Sequence, residues 1–492
     1  MKKNSFVLKV TLPTILIVFV VLVLMTFACK VDTKENIIMN NTAVTEVMHY
    51  SDKARSGIAL GGIGTGFAEL RKDCIFYNWN IFNNKPKGTG AKLNLPENTM
   101  LFFIVRYEEK GKDPQLKLLQ IDEGYNVAVI RNQLYEFPWL SGIETIEYSA
   151  RFPFVNMKFT DSDMPFDIEL EAYSPFIPND VKNSSLPAIH LNFKITSKIN
   201  NPVDVMLMAT LRNAVGYDVN DKYYSTELQD NSDYKICEMS CTGMDTKESS
   251  FGTMALASLS PETSFYLGWN WRHPYYEYVL QNKTLPNIDN TKDRNKIEID
   301  KTTGKKRPLK PLYSTLAVSG NLENAKVLEN SFIVSWNFPN AYDNKLTNIV
   351  GNYYSNFFNS ATEVADYIIK NREDLYKQTK GFLNNFYESS VEPFILNQIN
   401  SQLNTFITSS YFDKLGRFGI QEGLTSDRKW AGLATNDVGL QGSVPIIALF
   451  PELHKSGMRV LKDMQHESGE TAHVFYPGSV NNDEFWAVNG LN

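Results

Sequence analysis

The chain has 492 residues, which is enough for two or three domains, each with a sizeable core. Its formal net charge is −6 with a pI near 5.7 and no basic stripe, which argues against nucleic acid as a partner. Aromatic rings are plentiful (30 Phe, 24 Tyr, 7 Trp) and could stack on sugars, but nearly all are expected in cores.

Lys2, Lys3 and Lys9 precede a largely apolar run from Val10 to Ala28 that ends at Cys29. A positive stretch before an apolar one reads as a secretory signal, and this run is also just long enough to span a bilayer. Residues 1–29 are therefore predicted to be a signal peptide or membrane anchor. Ala28-Cys29 invites a lipoprotein reading, weakened by Thr26 where a Leu is usual. Either way the chain is expected to be exported, membrane-anchored or periplasmic or at the cell surface. Residues 30–48 are polar and without periodicity, and read as a tether.

The next feature is a glycine run, Gly57-Ile-Ala-Leu-Gly-Gly-Ile-Gly-Thr-Gly66. It does not continue as G-x-G-x-x-G, because position 67 is Phe, and no Lys-Ser/Thr follows at phosphate-loop spacing. A tight turn between two strands is the simpler reading. Strand signals then follow in order: Leu101–Tyr107, Asp167–Tyr173, His190–Thr196 and Val203–Met208. Short strands separated by Pro, Gly and Asn predict a β-sandwich over residues 49–345. The polar stretch Thr284–Pro311 reads as an exposed insertion, and Lys301, Lys305, Lys306 and Arg307 as a solvated loop. Of the four cysteines, Cys29, Cys74, Cys237 and Cys241, the last two lack a nearby Cys/His pair for zinc. A local disulfide or two buried thiols is expected, and no metal.

After residue 345 the period becomes helical. Val364, Ile368, Leu375, Thr379, Phe382 and Phe386 share one face, as do Leu396, Ile399, Leu403 and Phe406. Pro393 suits a first helical turn. Residues 346–492 are thus expected to form a helical domain.

Three ordered segments resemble glycoside hydrolase family 116, the bile-acid β-glucosidase or non-lysosomal glucosylceramidase family. They are the glycine run with Phe76–Asn84, the stretch Phe166–Pro178 with Ser184-Ser-Leu-Pro-Ala188, and Ser335-Trp-Asn-Phe-Pro339 with Tyr353–Phe358. The resemblance runs from about residue 50 to the end of the chain. It implies a β-sandwich followed by the start of an (α/α)6 barrel, and a retaining hydrolase of β-linked glycosides, β-glucosides first. No cofactor is implied.

Such a mechanism needs two carboxyl groups, one protonating the leaving oxygen and one attacking the anomeric carbon. In Gln421-Glu422-Gly423 the resemblance makes Glu422 the nucleophile. In Thr435-Asn-Asp437-Val438, ahead of an apolar helix at Val444–Leu453, it makes Asp437 a residue that holds sugar hydroxyls. Asp427, in the polar loop between them, is a rival carboxylate. His473 stands near the family's sugar-binding histidine and is a substrate ligand or an ordinary polar residue; His466 is a weaker candidate. The family's acid/base Asp is expected beyond Asn492, so an incomplete chain is expected. Two other readings stay open: a β-xylosidase of the same family, and a non-catalytic glycan-binding surface lipoprotein.

Overall fold

The computed structural model describes residues 45–48, 56–83, 99–121, 140–219, 222–269, 274–291, 313–323, 326–421 and 432–478. Two large sheets dominate it. The nine-stranded sheet is antiparallel throughout and is centred on Phe166–Tyr173, Ala188–Ser197, Val327–Asn337 and Thr253–Ser258. The seven-stranded sheet is centred on Tyr313–Leu322, Val203–Arg212 and Leu101–Glu109.

Alternation sets which face is buried. Along Phe166–Tyr173, Phe166, Ile168, Leu170 and Ala172 face inward, while Asp167, Glu169 and Glu171 face out. The inner faces of the two sheets meet ring to ring. Phe103 meets Phe193 at 4.8 Å, and Tyr107 meets Phe166 at 5.3 Å and 89°. Each such fully buried ring contributes roughly 1.5–3 kcal/mol through burial. This is a β-sandwich, and its central strands are the ones the sequence alternation marks.

The outer face of the nine-stranded sheet carries three rows set by register. Glu147, Lys158, Glu169, Lys194 and Glu329 lie side by side across five strands, alternating in sign. Ser149, Asn156, Glu171, Asn192 and Ser331 form the next row. Arg151, Phe154, Tyr173, His190 and Ile333 form the third, and helical structure covers it. Helix Ala361–Tyr387 lays Ala361, Val364, Ala365 and Ile368 against Ile236, Ala255, Ala257 and Ile333. The two sheet alanines leave room for a close approach. Ser360 caps this helix by accepting from the Glu363 N–H, and Glu363 accepts from the Asn359 N–H. The first helix after residue 345 therefore shares a core with the sandwich.

His190 sits under that helix, stacked on Tyr173 with centroids 4.4 Å apart, and its buried Nε2 has no hydrogen-bond partner among the described residues. Burial lowers its pKa from 6.5 to about 3. The unfolded chain therefore binds a proton between these pH values that the folded chain does not. Its stabilising contribution is complete above pH 6.5 and is lost as pH falls toward 3. At pH 5 the loss is about 2 kcal/mol. His190→Phe is expected to remove this component, which denaturant melts of both proteins at pH 5 and pH 7.5 would check.

Several expectations are corrected. The apolar segment Val444–Leu453 is two helices, Asn436–Leu449 and Pro451–Asp463, because Phe450 leaves the helical conformation (φ −142°, ψ 67°) ahead of Pro451. Ile399 is 43% exposed on Pro393–Leu403, and Phe406 belongs to the separate turn Thr405–Thr408. The described start of the stretch Thr284–Pro311 is exposed at Thr284, Asn287 and Ile288 but is not wholly a loop. Leu285 is buried, and Ile288–Asp289 pairs in parallel with Ser264–Trp269. Its basic residues lie outside the described residues. An unforeseen helix, Pro274–Gln281, precedes it and stacks Tyr275 on Trp269 at 3.8 Å. Of the two alternatives for Cys237 and Cys241, the buried free thiols are observed, and burial raises Cys237 to about 12. Among the described residues no helix is long and apolar enough to cross a membrane. The run Val10–Ala28 lies outside them.

Candidate functional site

The glycine run is a hairpin, with Gly57–Gly62 paired to Gly66–Arg71. Thr65 closes the turn, its hydroxyl accepting from Gly62 N–H at 2.8 Å and its own N–H donating to Gly62 O at 3.2 Å. Gly64 at φ +70° takes the left-handed conformation the turn requires. The hairpin is also closely wrapped. A Cβ at Gly62 would lie 2.6 Å from Leu186 O, and one at Gly64 would lie 2.3 Å from the Phe412 Cβ. Ile63 N–H donates to Ser184 O, and Trp336 Nε1, 271 residues away, donates to Thr65 O at 2.9 Å. The three segments that carry the family resemblance therefore meet at one turn.

The far side of that turn faces a second hairpin, Ser410–Phe412 with Phe418–Ile420. Sequence reasoning missed it, although Phe412-Asp413-Lys-Leu-Gly416-Arg-Phe418 carries an Asp/Gly turn signal between aromatic residues. Asp413 is fully buried and organises the connection. Its carboxylate accepts from Tyr411 OH, from the Leu415 and Arg417 N–H groups, and from the Arg417 guanidinium.

Past this hairpin the chain reaches the residues of interest. Gln421 N–H donates to Ser409 O, and Ala434 N–H donates to Ile420 O, both at 2.9 Å. Leu433 and Phe475 exchange backbone bonds, and Asn436 N–H donates to His473 O at 2.9 Å. The Asn436 side-chain amide donates to Ala472 O. Backbone bonds thus gather Gln421, the start of helix Asn436–Leu449 and His473 into one small ladder. Glu422, the residue after Gln421, and Asp427 lie outside the described residues. Asp437 is the second residue of the helix, so it stands next to the residue bonded to His473. His473 and His466 are both half-buried, and His466 lies near Glu470, at 3.9 Å.

Two cavities flank the ladder. One of about 50 Å³ has a mixed lining that includes Thr65, Asn83, Ser410 and Gln421 with Phe82 and Leu433. The other, about 560 Å³, is mostly apolar and is lined by Ile420, Thr435, Asn436, Ile446 and Met458 among others. A separate cleft of about 770 Å³ lies over the charged and polar rows of the nine-stranded sheet and reaches Tyr234 and Arg372. It lies apart from the ladder, with no residue of the 410–478 region among its walls. Among the described residues no group of three or more His, Cys, Asp or Glu is arranged to hold a metal.

No curated protein matches the sequence. Similar solved structures include a protein assigned as a kojibiose phosphorylase from the human microbiome, 11% identical with TM-score 0.38, covering 77% of this chain and 43% of its own. A family GH92 α-mannosidase from Bacteroides thetaiotaomicron is 9% identical with TM-score 0.33, covering 87% of this chain and 49% of its own. The chain thus spans less than half the length of either, and likeness at this level fixes neither fold nor substrate. The family described as "beta-glucosidase 2, glycosyl-hydrolase family 116 N-term" matches residues 57–375, well over half of the chain. That stretch contains the glycine hairpin and both segments wrapped around it, and on this match the chain belongs to glycosyl-hydrolase family 116.

Proposed function

We propose that this chain is part of a retaining glycoside hydrolase acting on β-linked glycosides, with β-glucosides the first candidates. In this reading Glu422 attacks the anomeric carbon as the leaving oxygen is protonated, giving a covalent glycosyl-enzyme that water then hydrolyses. Asp437 and His473 hold sugar hydroxyls, and the helices after residue 345 belong to an (α/α)6 barrel. The observation that carries the reading is the backbone ladder joining Gln421, the helix start at Asn436 and His473, in a chain of this family. Residues 1–29 tether the protein to a membrane after export, a proposal resting on Lys2 and Lys3 ahead of the apolar run.

The test uses 2,4-dinitrophenyl 2-deoxy-2-fluoro-β-glucoside, whose leaving group departs without acid assistance. The expected result is one fluoroglucosyl group on Glu422 by peptide mass spectrometry, and none in Glu422→Gln. Label on Asp427 would reassign the nucleophile. Label only from the corresponding xyloside would favour a β-xylosidase.

The cleft over the nine-stranded sheet favours a second reading, non-catalytic glycan binding by a surface lipoprotein. It predicts saturable oligosaccharide binding that Glu422→Gln leaves unchanged and that Glu169→Lys weakens.

A further inference from the structure

We propose that the cleft over the nine-stranded sheet binds a neutral, extended oligosaccharide, held by the Asn156 and Asn192 amides against Tyr234; this deepens the glycan-binding reading and rests on it. The floor is the row Ser149, Asn156, Glu171, Asn192 and Ser331, one residue from each of five neighbouring strands. Strands lie about 4.8 Å apart, so the row offers a polar group at nearly the spacing of successive rings in an extended sugar chain. Ser331 Oγ donates to Asn192 Oδ1 at 2.7 Å, which orients that amide through its oxygen. Among the described residues the Asn156 and Asn192 amide nitrogens donate to no protein acceptor, so both bring N–H donors for sugar oxygens. Between them Lys380 Nζ donates to Glu171 Oε2 at 2.9 Å and holds that carboxylate in place as an acceptor.

Alternating charges on their own would suit any solvated sheet face, but this face is walled. Helix Ala361–Tyr387 brings Ile369 and Arg372 to the cleft, and Tyr234 stands there with them. Tyr234 OH donates to Asp366 Oδ1 of that helix at 2.7 Å, and its side chain packs partly on the core beneath it. The ring is thus fixed before a ligand arrives, and little further ordering is lost on binding. An aromatic ring suits the C–H face of a sugar, while the amides take its hydroxyls. The volume of about 770 Å³ falls within the roughly 300–1,000 Å³ of small-molecule sites. Charge then selects the ligand. Five carboxylates and three cationic groups line the cleft, so a polyanion is repelled. A neutral chain of hydroxyls, each both donor and acceptor, can pair with the carboxylates and the amides alike.

The experiment is calorimetric titration of the full chain with S-linked cellopentaose, which resists hydrolysis, with maltopentaose and pentagalacturonate as controls. Wild type is expected to bind the cellopentaose saturably, the curled maltopentaose at least about fivefold more weakly, and the anionic pentagalacturonate more weakly still. The double variant Asn156→Ala/Asn192→Ala should lower cellopentaose affinity at least about tenfold, through two lost hydrogen bonds. Asn156 is exposed and Asn192 half-buried, so this variant should keep the wild-type urea midpoint. Tyr234→Ala should lower affinity at least about fivefold, whereas Tyr234→Phe, which keeps the ring, should stay within about threefold. Wild-type affinity in the double variant would overturn the cleft as the site, and would leave glycan binding by the chain standing. Binding of none of the three sugars by wild type would overturn the glycan-binding reading itself, and this proposal with it. Equal or tighter binding of maltopentaose or pentagalacturonate would overturn the neutral, extended ligand.

Discussion

Asp413→Ala is expected to destabilise the protein by about 3–5 kcal/mol, the range for removing one partner of a buried ion pair. Asp413 has no exposed side-chain surface, and Arg417 opposite it is only 15% exposed. Without the carboxylate that guanidinium stays largely out of water and loses the Asp413 contact. The same oxygens also hold the Leu415 and Arg417 N–H groups and the Tyr411 hydroxyl, so the turn between the two strands loses its organiser. Asp413→Asn keeps an acceptor for the two N–H groups and is expected to lose less. Urea denaturation checks this: the midpoint should fall in the order wild type, Asn, Ala, with similar slopes. An Ala variant within about 1 kcal/mol of wild type would mean that the hairpin does not depend on this pair.

Trp336→Ala is expected to cost a similar amount, about 3–5 kcal/mol, by a different mechanism. The indole is fully buried near the end of the strand Val327–Asn337, and its Nε1 reaches the Thr65 carbonyl. Truncation removes its packing, leaves a cavity at the point where the family segments converge, and strips a buried carbonyl of its donor. Trp336→Phe separates the contributions: it keeps most of the apolar surface and forfeits the hydrogen bond, for a loss of about 1–3 kcal/mol. Denaturant melts of the pair give the division. A Phe variant as unstable as the Ala variant would show that the bond to the turn, and not ring packing, dominates.

Local pattern carried much of the fold. The alternation in Asp167–Tyr173 and His190–Thr196 marks strands with one buried face, since a strand's side chains repeat every two residues whatever lies opposite. The glycine run read as a turn for an equally local reason: its spacing lacks the phosphate-loop signature, and φ +70° at Gly64 suits glycine. Periodicity was less informative where the period was helical. It placed Ile399 on a buried face with Leu396 and Leu403, but burial depends on what packs there, and Ile399 is exposed. The break between Leu449 and Pro451 was signalled by its proline, yet the apolar run through it concealed the boundary.

The site divides along the same line. The sequence by itself determined that Gln421-Glu422, Asn436-Asp437 and His473 deserved notice, through resemblance to a family and not through any pattern internal to the chain. It also determined the sandwich strands and the glycine turn, because φ/ψ preference and side-chain period are properties of neighbouring residues. Only the tertiary structure decided that Asn436 bonds His473, that Trp336 reaches Thr65, and that Gly64 meets Ser410 and Phe412. Those pairings depend on shape and on the few donors left over once the strands have paired. A residue's local pattern states which face is buried, and it is silent on which distant residue lies against that face.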